Sequence, residues 1–234
     1  MEHTRVLPAP HRYAVCAPEG MAVKEFYQGI FEEVFVFFHP FIKPKSSAYD
    51  LFDPAADTSR NEIRKNCESV AWKQFLTLAG IDDYKQLDIG LRTSISGLKE
   101  EYQDARTAEL IHETCMKNGM SAPSEGSFPD IIMNDLLEAF KTLGHEWLWF
   151  GDEFCTERKL VYIDELIRDN DMLDQGKNLF THDNGILITT HWDSHFSFLC
   201  SDKETVEQLV RLSGLEGFYC NKHTKIYWSL PSGS

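Results

Sequence analysis

The chain has 234 residues, 42% hydrophobic and 12% aromatic, which is enough apolar surface for a substantial core and excludes wholesale disorder. Its 37 acidic against 23 basic residues give a formal net charge of −14. A field of that sign repels phosphate backbones, so it argues against nucleic-acid binding and suits a chain that meets a basic protein partner.

The opening M-E-H-T-R-V-L-P-A-P lacks the apolar centre of a secretory signal. The most apolar window, Ile30 to Ile42, is too short to span a bilayer and contains Glu32, Glu33, His39 and Pro40. The six cysteines, Cys16, Cys67, Cys115, Cys155, Cys200 and Cys220, form no C-x-x-C pair. These features predict buried, reduced thiols in a cytoplasmic protein without a membrane segment.

Val23, Phe26, Tyr27, Ile30, Phe31, Val34 and Phe35 recur at three and four, which predicts a wide apolar helical stripe. The run F-V-F-F before His39-Pro40 reads as the end of that helix or as a short buried strand. Lys43 to Asp57 reads as a loop, punctuated by prolines and small polar residues. Val70, Trp72, Phe75, Leu76 and Ala79 predict a helix stopped at Gly80. Tyr84, Leu87, Leu91, Ile95 and Leu98 predict a second, and Ala108, Ile111, His112 and Cys115 a third that closes on Asn118-Gly119. After the loop Ser121 to Ser127, Ile132, Leu136, Leu137, Phe140 and Leu143 line one face of a fourth, stopped at Gly144.

Beyond Gly144 the spacing changes to short β-type runs. E-W-L-W-F (146–150) and K-L-V-Y-I (159–163) read as strands. G-I-L-I-T-T-H and S-H-F-S-F-L-C read as a hairpin turning at Trp192-Asp193. Ser201 or Asp202 can cap a helix over Glu204 to Leu212. G-F-Y-C and T-K-I-Y-W-S read as a final strand pair. The expected fold is α+β: a helical region over 20–143 followed by a mainly antiparallel sheet region over 145–230, with a core the two can share.

Candidate sites follow from residue chemistry. In T-H-W-D-S-H-F-S-F-L-C (190–200), His191, Asp193 and His195 are two imidazoles and a carboxylate, a ligand set used by catalytic zinc and non-haem iron. His182, Asp183 and His223 are candidates for a further ligand. The same letters also suit a plain hairpin turn, because Asp and Ser bond nearby backbone groups. Trp147 and Trp149 in E-W-L-W-F-G-D-E-F fall on one strand face, with Asp152, Glu153 and Glu157 as an acidic rim. The G-D-E-F letters echo cyclic-dinucleotide synthases but lack the further glycine and the surrounding nucleotide-binding domain.

A-W-K-Q-F-L-T-L-A-G-I-D-D-Y-K-Q-L-D-I-G-L-R-T-S-I has the cadence of a helix-turn-helix, with Lys85, Gln86, Arg92 and Thr93 as its polar face. No G-x-S-x-G, P-loop or G-x-G-x-x-G occurs.

F-V-F-F-H-P-F-I-K (35–43), A-W-K-Q (71–74), D-Y-K-Q-L-D-I-G-L-R-T-S-I (83–95) and W-D-S-H-F (192–196) resemble a family of bacterial proteins of unknown function found in bacilli and their relatives. The resemblance implies a bacterial, cytoplasmic, single-chain protein and supplies no catalytic residues.

The residues favour a non-catalytic binding protein of acidic regulatory or immunity type over an enzyme. Trp147, Trp149, Asp152, Glu153 and Trp192 are its expected contact residues for a basic protein. The alternatives are a hydrolase with zinc or iron at His191, Asp193 and His195, and a helix-turn-helix transcription regulator.

Overall fold

One antiparallel sheet of seven strands organises the chain, in the order β5-β4-β6-β7-β8-β1-β9. Its strands are β1 (Glu33–Phe38), β4 (Trp147–Gly151), β5 (Arg158–Tyr162), β6 (Asn178–Thr181), β7 (Leu187–Thr190), β8 (Phe196–Ser201) and β9 (Gly217–Tyr219). A separate pair joins β2 (Phe41–Pro44) to β3 (Cys67–Val70). The computed structural model describes residues 9–45, 59–168, 173 and 176–231.

Helices cover both sheet faces. On one, α6 (Met133–Thr142), α7 (Ile163–Arg168) and α8 (Lys203–Ser213) pack around Phe35, Phe37, Leu148, Leu179 and Leu199. On the other, α1 (Val23–Phe26), α3 (Trp72–Ala79), α4 (Tyr84–Ser94) and α5 (Ala105–Asn118) pack around Val34, Val36, Phe38, Phe180, Leu187 and Phe196. The short helix α2 (Arg60–Asn66) precedes β3 and opens with a capping box between Ser59 and Glu62. The molecule is α+β, as the spacing predicts.

Three local expectations need correction. The helical stripe over 23–35 is helix only over Val23–Phe26; Gly29 then takes φ +76° and the chain enters β1. Successive residues of a strand face opposite ways, and both faces of β1 are covered, so E-V-F-V-F-F lacks the alternation that would mark it as a strand. Val70 belongs to β3, facing Phe41, and not to the helix that starts at Trp72.

The final strand pair does not form either. β9 pairs with β1, while the chain after Asn221 turns. Asn221 shapes that turn: its side-chain oxygen accepts from the His223 N–H at 2.8 Å, and its carbonyl accepts from the Thr224 N–H at 3.2 Å.

Other stops and caps form where they were expected. Gly80, Gly119 and Gly144 end α3, α5 and α6 with positive φ. Asp202 caps α8 by accepting from the Thr205 N–H at 2.9 Å.

The stretches 20–143 and 145–230 meet in one sheet, because β1 from the first lies between β8 and β9 from the second. Of the loop read over Lys43 to Asp57, Lys43 and Pro44 lie in β2, and positions 46–57 fall outside the described residues. No helix among the described residues is long and apolar enough to cross a membrane.

Candidate functional site

β4 and β5 form the outer end of the sheet. Their register sets Trp147 against Tyr162 and Trp149 against Leu160, so all four side chains share one face. Trp147 and Tyr162 touch, with ring centroids 5.1 Å apart. Trp149 is half-buried, next to Phe180 on β6 and under the Arg158 guanidinium. Trp147 is 46% exposed and Leu160 44% exposed. Among the described residues β5 pairs only with β4, so its outer edge is open.

The two strand cations are engaged over rings, Arg158 over Trp149 and Lys159 over Phe150. Glu146, Glu153 and Glu157 have no ion-pair partner among the described residues.

The other predicted contact residues divide. Asp152 is committed to its own turn, where it accepts from Thr156 N at 2.8 Å, Thr156 Oγ1 at 2.5 Å and Glu157 N at 3.2 Å. Burial opposes its charge, but these hydrogen bonds outweigh burial and keep its carboxyl below the usual range. Trp192 is 52% exposed but sits in the turn after β7, beyond the Gly151 end of β4, whereas Trp147 starts β4 at its opposite end. Only part of the predicted set therefore forms one surface. Leu160 and Tyr162, which complete it, follow from the hairpin register and not from any motif.

The stretch from Thr190 to His195 does not jut into solvent. His191 and His195 are both buried, and the turn is fastened by Gly126 N–H to the Ser194 carbonyl and by His39 N–H to the His195 carbonyl. His191 Nδ1 accepts from the Asp193 N–H at 3.3 Å, which leaves Nε2 to face Glu19 Oε1 at 3.3 Å. Tyr227 also donates to that Glu19 oxygen at 3.3 Å. Burial lowers the His191 pKa against the opposing pull of Glu19. Asp193 is raised by burial and by the Glu19 charge.

His195 points to a different neighbourhood. Burial first, then the charges of His39 and Arg92, push its pKa down to about 3, and its Nδ1 has no partner among the described residues. His191, Asp193 and His195 thus form no joint ligand set: among the described residues no three His, Cys, Asp or Glu side chains stand where they could hold one metal ion.

Behind the turn lies a hydrogen-bond chain. His39 Nδ1 donates to the Ser124 carbonyl at 2.8 Å, so Nε2 accepts from Ser197 Oγ at 2.8 Å; Thr190 Oγ1 lies 2.5 Å from Ser197 Oγ. A serine within reach of a histidine is the geometry of an activated nucleophile. Here neither residue is exposed to solvent, and burial drops the His39 pKa to about 4, so the pair holds the strands together.

The helix-turn-helix cadence is real, but its polar face is turned inward. Arg92 is fully buried, ion-paired with Asp88 at 3.0 Å, and donates to the Ile226 carbonyl at 3.0 Å. Thr93 donates to Ile89 and Gln86 to Thr107. Of the four expected contact residues, that leaves Lys85 to reach outward. It does so at the rim of a cleft of about 660 Å³ between the start of α4 and the C-terminal segment, walled by Tyr84, Phe218, Tyr227 and Trp228 and bordered by Glu19.

The fold and these sites define an α+β protein with an open aromatic sheet end and a separate cleft, and without a recognisable catalytic constellation among the described residues. Residues 19–230 match the family described as "Protein of unknown function (DUF2711)", and the chain belongs to that family. It is also 23% identical over 170 residues to the uncharacterized protein YwbB of Bacillus subtilis (strain 168), covering 72% of this chain and 75% of that protein. No solved structure matches.

Proposed function

We propose that this chain is a non-catalytic binding protein of acidic regulatory or immunity type, which docks a basic protein on the β4–β5 end of its sheet. The observation that carries the reading is the shared face of Trp147, Trp149, Leu160 and Tyr162 at an open strand edge. Aromatic anchors in a patch of this kind dominate many interfaces, and an open edge can take an added strand. Phe154, in the β4–β5 connection, is a further exposed aromatic side chain, 61% exposed. Glu146, Glu153 and Glu157, without an ion-pair partner among the described residues and within a net charge of −14, favour a basic partner and speed its encounter.

The test is affinity capture with the wild-type chain beside Trp147→Ala and Leu160→Lys variants, at low and high salt. A basic protein held by the wild type, lost from both variants and weakened by salt would support the reading. Equal capture by all three chains, or none by the wild type, would sink it.

A further inference from the structure

The cleft beside α4 is a second candidate site, on the far side of β1 from the β4–β5 end. Its walls are aromatic. Phe218 meets Trp228 edge-on with centroids 5.0 Å apart, and Phe38 lies below, 5.3 Å from Tyr84 and 5.9 Å from Trp228. Planar rings in a recess of about 660 Å³ accept a planar ring of a ligand by stacking and burial.

The polar groups at the cleft are unevenly committed. Glu19 already accepts from Tyr227 and faces His191, and Asp83 already caps α4 by accepting from the Gln86 N–H at 2.9 Å. Tyr84 is spent as a donor to Glu216 at 3.0 Å. In contrast, Lys85 and Lys225 have no carboxylate or carbonyl partner among the described residues. The uncommitted charged groups at the recess are therefore two cations, Lys85 and Lys225, in a chain whose net charge is −14. That pattern complements a negative group carried by a planar ring.

We infer that the cleft binds a small organic anion with a planar ring, which stacks among Tyr84, Phe218, Tyr227 and Trp228 while its acidic group meets Lys85 and Lys225. A nucleoside phosphate and an aromatic carboxylate share this chemistry. The site needs neither Trp147 nor Leu160, so it stands apart from the proposed protein-docking surface.

Calorimetric titration of the full chain with adenosine monophosphate, salicylate, adenosine and inorganic phosphate tests the assignment. Binding of adenosine monophosphate or salicylate is expected, weakened about tenfold or more in the Lys85→Ala/Lys225→Ala double variant and largely retained in Lys85→Arg/Lys225→Arg. Adenosine and inorganic phosphate should each bind more weakly than the compound that joins ring and charge. Preference for the nucleotide or for the carboxylate then identifies the source. The assignment is overturned if neither ring anion binds at millimolar concentration. It is equally overturned if adenosine binds as tightly as its monophosphate, or if the double alanine variant binds as well as wild type.

Discussion

Arg92 shows how a single side chain can be misjudged by its letter. In sequence it is a cation on the outer face of a recognition helix. In the molecule it is fully buried, paired with Asp88 and placed over the rings of Tyr227 and Phe196. Removing its counter-charge should be severe, because an uncompensated buried guanidinium remains. Asp88→Ala is expected to cost about 3–5 kcal/mol in urea unfolding, and a loss below about 1 kcal/mol would contradict the pairing.

The buried histidines make a second prediction. His39 and His195 titrate near 4 and 3 in the folded chain, depressed from 6.5 by burial. The unfolded chain therefore binds more protons than the folded one between these values. Stability is fully present above about pH 6.5 and declines as pH falls towards 4. Denaturant midpoints at about pH 7.5 and about pH 5 should differ in that direction; equal midpoints would contradict it. The sequence shows that T-H-W-D-S-H is dense in chemistry. It cannot show that Glu19, distant in the chain, claims one imidazole while His39 and Arg92 surround the other. Those contacts exist only after the sheet has formed.

At the scale of elements, legibility follows exposure. The helices with one wet face, α4, α5, α6 and α8, are readable from their spacing and caps, as are the strands β4 and β5 beside their turn. β1 is not, because covering both its faces erases the period-two signal, leaving apolar residues that also fit a helix. β9 is legible as a strand but its partner is not, for a related reason: it pairs with β1, and no local feature of G-F-Y points so far back along the chain. A Cβ at Gly217 would come within 1.8 Å of the Val36 carbonyl oxygen, so Gly217→Ala should push β9 off β1. A loss of about 2 kcal/mol or more is expected in thermal or urea unfolding, and a neutral result would contradict the close approach. Leu160→Lys, on the exposed outer strand, should shift stability by only about 0.5 kcal/mol while removing partner binding. A collapse of stability instead would make Leu160 a packing residue.

For the molecule as a whole, composition and spacing led to α+β architecture, and the family resemblance read from F-V-F-F-H-P-F-I-K and W-D-S-H-F matches the membership found over residues 19–230. The division at Gly144 is a change in spacing and not a seam in the core, since strands from both sides share one sheet. Fragments 20–143 and 145–230, expressed separately, are expected to show poorly dispersed amide spectra and no cooperative unfolding. A folded spectrum from either fragment would show that it owns a core of its own.

The placement of β1 also governs the order of events at the ribosome. Phe38 must wait for Phe196, and Val36 for Phe218, before the sheet can close. Until nearly the whole chain has emerged, E-V-F-V-F-F is an apolar segment with two unpaired edges, the kind of sequence that associates with other nascent chains. Pairings so remote also make folding slow, because the intervening loop must be closed before any contact rewards it. A segment covered on both faces in the finished protein therefore spends most of its synthesis uncovered.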